Sequence, residues 1–276
     1  MIFEHHDLPA SLGEHIEAII YFKDFIPEHT IERVVPTGHI FLIFEFDNIT
    51  RMTFDNASLK PLKHYSKVWI SGMHRNFISI SVHELSEMLV IQFKPAGSYP
   101  FLHVPVQDLN EKIVAAEKIL GQEILDLRND LLRAKNSKTK FGKIEKWLMN
   151  RLDPKKIPSK ALVNLIDRLQ KDPVSNLKTI IKTYPYTQKQ LIQHFKKHVG
   201  LTPKYYHRIV RFNEILHNIH TQDAVSGADL AYSCGYSDQS HFIKEFCLFS
   251  GFNPREFVKK AFPKDEKNFF PLVRKG

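Results

Sequence analysis

The chain has 276 residues, of which 43% are hydrophobic and 25% charged, a composition that supports packed cores and excludes disorder as the main state. At about 150 residues per domain, this length predicts two domains. No run of about 18 uncharged apolar residues is present, which excludes a membrane-spanning helix, and the first residues lack the layout of a signal peptide. Two cysteines, Cys234 and Cys247, are too few for a disulfide framework. These features predict a reduced, cytoplasmic protein.

The positive charge lies in one part of the chain. Residues 1–157 carry 20 basic and 20 acidic residues, whereas residues 158–276 carry 19 basic and 10 acidic residues. The whole net charge of +9 therefore belongs to the last 119 residues. Such asymmetry is typical of a protein whose basic half meets a polyanion. On charge alone, a solvated basic surface is an equally good interpretation.

The first half of the chain changes from a strand-like to a helix-like pattern. Short segments rich in Ile, Val and Phe predict strands at 31–36, 39–47, 67–71, 77–82 and 88–94. From about residue 106 to 152, apolar residues at three- and four-residue spacing predict helices, beginning with Ile113, Ala116, Ile119 and Leu120. Two prolines then mark a linker. The fold class is α+β, with a domain at 1–153, a linker at 154–160, an all-α domain at 161–263 and a basic tail at 264–276.

An internal repeat with an offset of 51 residues runs through the second half. Four anchors recur in each copy: Leu191 and Phe242, Phe195 and Phe246, Gly200 and Gly251, and Pro203 and Pro254. Each copy predicts a helix, a tight turn and a second helix that a glycine ends. The second helix is capped by Thr187 in the first copy and by Asp238 in the second. Ile180 and Ala231 share the offset on the preceding helices, and one amphipathic helix from about residue 204 to 218 joins the copies.

Two helix-turn-helix units on a basic domain are typical of a protein that contacts two major grooves of DNA. At 100° per residue, the outward positions of the first unit are Lys189, Gln193, Lys196 and Lys197, and those of the second are Ser240, Lys244, Cys247 and Leu248. Glutamine suits adenine, and lysine suits guanine or phosphate. The competing interpretation, a helical bundle with a polar face, explains neither the duplication nor the charge segregation.

The segment from Ala231 to Phe257, AYSCGYSDQSHFIKEF followed by GFNPREF, closely resembles the signature of the AraC/XylS family of bacterial transcription regulators. The resemblance covers about residues 162–262 and implies two helix-turn-helix motifs joined by a long helix. Carried over by position, it implies base contacts by Lys189, Ile192 and Gln193, and by Gln239, Ser240, His241 and Lys244. Two departures are Pro185, where the family has a turn glycine, and the Cys247-Leu248-Phe249 stretch, where basic residues are frequent.

About residues 1–150 resemble a β-rich domain, itself uncharacterised, that often precedes this type of DNA-binding domain. That resemblance, on segments such as SGMHR at 71–75 and IQFKPAG at 91–97, implies sensing or dimerisation. His39 and Arg75 are candidate ligand-binding residues that would meet an anionic effector in a pocket. The alternative makes Arg75 a surface residue and His39 a satisfied histidine at a strand end.

Other chemistry finds little support in the sequence. His194 and His198 lie four residues apart on a helix, a spacing that suits zinc, yet no third ligand follows and packing explains them better. No metal and no cofactor is predicted. The leading hypothesis is a sequence-specific transcription regulator that binds double-stranded DNA, responds to a small-molecule effector or partner, and has RNA polymerase and a second copy as further partners. The alternatives are an enzyme domain fused to a DNA-binding domain, and an N-terminal half that only oligomerises.

Overall fold

In the computed structural model, which describes residues 1–221, 235–236, 238–259 and 268–274, a β-rich region is followed by helices. The first region contains ten strands: β1 Ile2–His5, β2 Ile16–Phe25, β3 His29–Val34, β4 Ile40–Glu45, β5 Arg51–Phe54, β6 Pro61–Tyr65, β7 Val68–Ser71, β8 Ile78–Ser81, β9 Ser86–Phe93 and β10 Ile113–Ala115. An eleventh strand, β11 Phe269–Arg274, comes from the other end of the chain. All five predicted strands are present within about two residues of their expected bounds.

The strands form two antiparallel sheets. Sheet I has the order β1-β2-β9-β4-β7-β10, and sheet II has the order β11-β3-β8-β5-β6. In sheet I the register pairs Leu42 with Ile91 and Ile43 with Val90. Because side chains alternate across a strand, Leu42 and Ile91 face one side and Ile43 and Val90 face the other.

Helices cover one face of sheet I. They are the short helices α1 Ala10–Gly13, α2 Tyr99–Leu102 and α3 Glu117–Leu120, and the longer helices α4 Glu123–Leu132 and α5 Ser137–Arg151. Fully buried residues of the sheet, among them Leu42, Leu89 and Ile91, pack there with apolar residues of these helices such as Phe101 and Ile144. Burying a large apolar side chain in this way contributes roughly 1.5–3 kcal/mol.

One predicted helix is wrong at its start. Ile113, expected on a helical face with Ala116, Ile119 and Leu120, instead lies in β10. The strand pairs with β7 at the edge of sheet I, where Ile113 lies opposite Ser71. A free sheet edge leaves backbone donors and acceptors unpaired. The hydrogen bonds that β10 makes with β7 therefore stabilise the strand more than the apolar spacing of three residues stabilises a helix.

The helical region follows a 3-10 turn at Pro154–Lys156, close to the predicted linker. Among its described residues the helices are α6 Lys160–Lys171, α7 Leu177–Ile181, α8 Gln188–Val199, α9 Pro203–Thr221, α10 Gln239–Ser250 and α11 Pro254–Lys259. The long α9 is the predicted connecting helix and buries Tyr206, Ile209, Phe212 and Leu216.

The segment expected as a basic tail includes a strand that the sequence did not predict. Strand β11 pairs antiparallel with β3, with Phe269 opposite Val34 and Phe270 opposite Arg33. Phe270 is fully buried, and its ring lies 4.8 Å from that of Phe257 on α11. The end of the chain therefore returns to the N-terminal sheets while it packs on the second helix-turn-helix unit.

Candidate nucleic-acid interface and the adjoining cavity

The first helix-turn-helix unit consists of α7, the Tyr184–Tyr186 turn and α8. The hydroxyl of Thr187 accepts a hydrogen bond from the Gln190 backbone N–H (3.3 Å), and the Gln190 side chain accepts one from the Thr187 N–H (3.1 Å). This is the predicted capping box, which satisfies two donors at the start of α8. The predicted anchors Leu191, Phe195 and Val199 are buried, and Gly200 (φ +90°) ends the helix in the left-handed conformation.

The second unit repeats this construction within the residues that the structure describes. The Asp238 carboxylate accepts a hydrogen bond from the His241 backbone N–H at 2.7 Å, so Asp238 caps α10. Phe242 and Phe246 are buried, and Gly251 (φ +69°) ends the helix. The predicted anchor Ala231 on the preceding helix, as well as Cys234, lies outside the described residues.

Nearly all side chains expected to contact DNA are exposed along the two second helices. In α8 the exposed residues are Lys189, Gln193, Lys196 and Lys197, while Ile192 is half-buried; in α10 they are Gln239, Ser240, His241 and Lys244. The fold therefore presents on each helix a polar face that begins at its N-terminal end, which is the part that reaches base edges in helix-turn-helix proteins. At the positions equivalent to Lys196 and Lys197, Cys247 is half-buried and Leu248 is exposed.

Sequence reasoning missed a buried carboxylate that fixes α10 to the connecting helix. Glu245 is 2% exposed and accepts hydrogen bonds from Arg208 Nε (2.8 Å), from Arg211 Nη2 (3.3 Å) and from the Tyr236 hydroxyl (2.6 Å). The ring of Tyr236 also lies 4.6 Å from the Arg211 guanidinium. A signal was available, because Glu245 lies between Phe242 and Phe246 on the apolar face of the predicted helix. A carboxylate on such a face requires cationic partners.

The N-terminal region contacts the C-terminal ends of both helices. Asn110 Nδ2 donates to the Gly200 carbonyl at 2.5 Å, and Arg33 Nη1 donates to the Ser250 carbonyl (3.2 Å) and the Gly251 carbonyl (3.0 Å). The last carbonyls of a helix carry partial negative charge and lack partners within the helix. These contacts therefore satisfy equivalent groups in the two repeats and leave their N-terminal halves exposed.

Arg33 is the more deeply placed of the two donors. It is 8% exposed, and its guanidinium lies between the rings of Phe77 (4.1 Å) and Phe252 (4.6 Å). Burial lowers the pKa of Arg33 from its ordinary value. Because Phe77 belongs to the N-terminal region and Phe252 follows α10, this stack joins the two regions.

A cavity of about 540 Å³ lies between the two sheets. Its walls come from the face of sheet I opposite the helices, including Phe41, Ile43 and Val90, and from the facing side of sheet II, including Ile78 and Ile80. A second cavity of about 390 Å³ lies between the N-terminal sheets and α9. The two share lining residues at His39, Phe41, Gln92 and Phe269, among others, so they adjoin at the end where β11 enters the sheet.

The two candidate ligand-binding residues, His39 and Arg75, have different positions. His39 lines both cavities, and its Nδ1 lies 2.9 Å from the Phe93 carbonyl oxygen, to which it donates. Burial lowers the pKa of His39, so the ring is neutral. Arg75 does not line the main cavity: it is exposed, and its guanidinium lies 5.7 Å from the ring of Tyr205 on α9. Arg75 thus lies at the surface, as the alternative interpretation expects, on a loop that contacts the helical region through Tyr205.

The paired histidines of α8 pack against aromatic rings. His194 Nδ1 lies 2.8 Å from the Tyr184 hydroxyl, and the His198 ring contacts that of Tyr99 edge-on with centroids 5.3 Å apart. Burial, followed by the charge of Lys197, lowers the pKa of His198 to about 4. Among the described residues, no group of three or more His, Cys, Asp or Glu side chains could hold a metal ion. In the same part of the chain no helix is long and apolar enough to cross a membrane.

Family comparisons agree with both halves of this architecture. Residues 182–260 match a family described as a helix-turn-helix domain, and residues 6–115 match a family described as a domain of unknown function, DUF6597. The fold and its two exposed helices thus define a two-domain protein with a DNA-binding module. The resemblance drawn from the sequence is confirmed: the C-terminal domain is a helix-turn-helix domain of the AraC/XylS type.

Curated relatives match part of the chain. The chain is 33% identical over 79 residues to the HTH-type transcriptional activator RhaS of Enterobacter sp. (strain 638) and 33% identical over 78 residues to RhaS of Escherichia fergusonii. Each alignment takes in 28% of this chain, and the chain spans 28% and 27%, respectively, of the length of these relatives.

Solved structures of ToxT from Vibrio cholerae are similar to most of the chain. One, at 12% identity, covers 87% of this chain and 98% of ToxT with a TM-score of 0.46. Another, described as ToxT bound to an unsaturated fatty acid, has 11% identity and a TM-score of 0.45 and covers 88% of this chain and 96% of ToxT.

Proposed function

We propose that the protein is a sequence-specific DNA-binding transcription regulator that acts in the cytoplasm and is controlled through its N-terminal domain. The observation that carries this proposal is the pair of capped helices, α8 and α10, whose exposed polar faces lie in a domain of the AraC/XylS type. The net charge of +9 in residues 158–276 supports it, because neutralising phosphates supplies most of the non-specific affinity for DNA.

The two helices read bases with different residues. In α8 we assign base contacts to Lys189, Ile192 and Gln193; in α10 we assign them to Gln239, Ser240, His241 and Lys244. Lys196 and Lys197 contact phosphate. Lys197 also lies near the N-terminal domain, since its Nζ is 5.1 Å from the ring of Tyr99.

Control by the N-terminal domain follows from the contacts at Gly200 and Gly251. Because Asn110 and Arg33 hold the ends of both DNA-reading helices, a change in the N-terminal sheets alters the spacing of those helices. The cavity between the sheets offers a place where a small molecule causes such a change, as its volume of about 540 Å³ lies in the usual range for ligand sites, about 300–1,000 Å³. A second copy of the chain and RNA polymerase are the further partners that we propose.

The alternative of an enzyme fused to a DNA-binding domain has less support. The curated relatives are transcriptional activators, and the described residues contain no metal-ligand cluster that would supply one kind of hydrolytic centre. An N-terminal domain that only oligomerises would leave the cavity without a role. No cofactor is part of the proposal.

Selection of DNA sequences by the full-length protein tests the function. We expect a preferred site with two boxes about 10 base pairs apart, one helical turn of DNA. If about five phosphates are neutralised, the logarithm of the binding constant should fall with the logarithm of salt concentration with a slope of roughly −4 to −5. A slope near zero, or no preferred sequence, would contradict the proposal.

Two variants of α8 separate base reading from phosphate contact. Gln193→Ala should weaken binding to the preferred site by about 1–3 kcal/mol and relax the preference at one base pair. Lys196→Ala, at an exposed position one turn further on, should weaken binding to all sequences alike and reduce the salt slope by about one. If Gln193→Ala leaves the preferred sequence unchanged, α8 does not lie in the groove as proposed.

A further inference from the structure

We propose that the cavity between the two sheets binds an uncharged, largely apolar molecule that carries a hydrogen-bond acceptor, such as a medium-chain ketone, ester or lactone. This inference rests on the proposed control of DNA binding by a small molecule. It specifies the chemical class of that molecule from the charges and the packing of the cavity walls.

The cavity is lined mostly by apolar side chains of the two sheets. Alternate residues of β4 and β9 have different surroundings: Leu42 and Ile91 are fully buried against the helices, whereas Phe41 and Val90 face the cavity and are only half-buried. Protein interiors contain few voids larger than a water molecule. A cavity of about 540 Å³ with apolar walls therefore indicates a binding site for an apolar ligand.

The cation in the cavity wall is already neutralised. Arg51 is 5% exposed and lines the cavity. Its Nε donates to Glu45 Oε1 at 3.1 Å and its Nη2 donates to Asp47 Oδ2 at 2.5 Å. Although burial raises the pKa of Glu45 to about 7, the carboxylate of Asp47 by itself balances the charge of Arg51. An anionic ligand would thus find no unpaired positive charge at this position.

Arg51 nevertheless has a donor to offer. Its Nη1 is buried and has no hydrogen-bond partner among the described residues. A buried donor without a partner is unfavourable, so a ligand oxygen that accepts a hydrogen bond from Nη1 stabilises the complex. A neutral carbonyl oxygen meets this requirement and does not bring a charge into the apolar cavity.

The remaining ionisable groups of the cavity also favour a neutral ligand. Burial lowers the pKa values of His39, His74 and His83, and it brings that of His74 to about 4, so these rings are neutral at pH 7. Burial raises the pKa of Glu32, whose carboxylate lies 3.2 Å from His29 Nε2. The same desolvation penalises a ligand with either sign of charge.

Competition between three molecules of equal chain length tests the proposal on the full-length protein. The neutral fluorophore N-phenyl-1-naphthylamine serves as the cavity probe, and 2-undecanone, undecanoic acid and undecylamine compete with it at pH 7. We expect the ketone to displace the probe at a concentration at least about tenfold lower than the acid or the amine, a difference of about 1.4 kcal/mol. Equal or better displacement by the acid or the amine would overturn the assignment.

Three variants test whether the probe and the ketone compete for binding inside the cavity. Val90→Phe, which fills the cavity from the middle of β9, should abolish binding of the probe and the ketone, whereas Val163→Phe, the same change at an exposed position of α6, should leave both unchanged. Arg51→Lys keeps the positive charge but removes the free Nη1 donor, and it should weaken the ketone by about three- to tenfold, the value of one hydrogen bond. Ketone binding that survives Val90→Phe would place the site elsewhere.

DNA binding, measured on the same preparations without ligand, separates this inference from the proposed function. A protein that binds its DNA site but neither the probe nor the ketone overturns the ligand assignment and leaves DNA binding intact. A protein that binds the ketone but no DNA overturns the proposed function, while the chemistry of the cavity stands.

Discussion

The second helices of the two helix-turn-helix units, α8 and α10, share their caps and apolar anchors but differ in their polar contacts. At equivalent positions 51 residues apart, His194 of the first unit pairs with Tyr184 of its own unit, whereas Glu245 of the second reaches Arg208 and Arg211 of the connecting helix. At this position, therefore, the first unit makes a polar contact within itself, whereas the second makes ion pairs with α9. The repeated positions supply the same caps and apolar anchors in both units. The polar residue at the position of His194 and Glu245 differs, and with it the helix that this residue contacts.

The contacts of the two units with the N-terminal domain also differ in charge: that of the first has a neutral donor and that of the second has a charged donor. A neutral amide, that of Asn110, meets the end of α8, whereas the charged, buried guanidinium of Arg33 meets the end of α10. Hydrogen bonds from a charged donor are about twice as strong as those from a neutral donor. We therefore expect the second unit to be the more sensitive of the two to substitution of its polar partners.

Loss of the Glu245 carboxylate should have the largest effect. Glu245→Ala leaves two half-buried arginines without their carboxylate partner. Removing one member of a buried ion pair typically costs about 3–5 kcal/mol, and we expect the lower end of this range because both arginines retain contact with solvent. Urea unfolding of the full-length protein, followed by tryptophan fluorescence and by circular dichroism, measures this loss. Glu256→Ala, on the exposed side of α11, is the matched control and should change the free energy of unfolding by less than about 0.5 kcal/mol.

A third variant, compared with Glu245→Ala, tests the difference between the units. His194→Ala, at the equivalent position of α8, should cost only about 1 kcal/mol because it removes one hydrogen bond between partly buried groups. If His194→Ala proves as costly as Glu245→Ala, the two units are held equally and the comparison fails.

Substitution of Arg33 should have the next largest effect. Arg33→Met keeps most of the apolar stem but removes two hydrogen bonds to helix-end carbonyls and the stack between Phe77 and Phe252, a loss of about 2–3 kcal/mol. Because these contacts join the two domains, we expect the helical domain to unfold at a lower urea concentration than the β-rich domain, in place of a single transition. Hydrogen exchange of α10 should rise at the same time.

Two further variants make that result specific. Arg133→Met removes an arginine whose side chain is 73% exposed, and it should leave the unfolding curve unchanged. Arg33→Lys restores the charge but supplies neither the planar stack nor both hydrogen bonds, so it should recover only part of the loss. Full recovery with lysine would mean that charge alone, and not the geometry of the guanidinium, couples the domains.

Local patterns predicted the helical domain better than the β-rich one. The caps at Thr187 and Asp238 and the glycines that end α8 and α10 depend on residues a few positions apart, which the sequence displays directly. Strand β11 could not be predicted in this way, because its partner β3 lies more than 200 residues away. Its short Phe269–Arg274 segment also contains a proline, which argues against a central strand.

The same distinction applies to the functional residues. Exposure of Lys189 and Gln193 follows from helical periodicity around Leu191, so the outward face was predictable. Arg33 and Arg51 were not singled out, since their roles depend on groups that only the fold brings near: the carbonyl of Gly251 for Arg33, and the cavity wall for Arg51. Arg75 has the charge expected of a ligand contact but lies outside the cavity, and charge alone does not reveal that.

The smallest predicted effect is a difference in how the stability of the two units depends on pH. His198 and Phe249 are equivalent, and the neutral ring of His198 packs on Tyr99 of the N-terminal domain. Because burial lowers the pKa of His198 in the folded protein to about 4, against about 6.5 in the unfolded chain, its contribution is complete above pH 6.5 and is lost as the pH falls from 6.5 toward 4. His198→Phe, which copies the second unit, removes this titration. Since the ring remains partly exposed, solvent screening reduces the effect. We expect the free energy of unfolding of the wild type to fall by about 1 kcal/mol more than that of the variant between pH 7 and pH 5, as measured by urea unfolding.

His64→Phe, at an exposed position of β6, is the control and should follow the wild-type pH profile. Parallel profiles for His198→Phe and the wild type would show that docking of the first unit does not depend on a neutral His198, and the pH difference between the two units would then be absent.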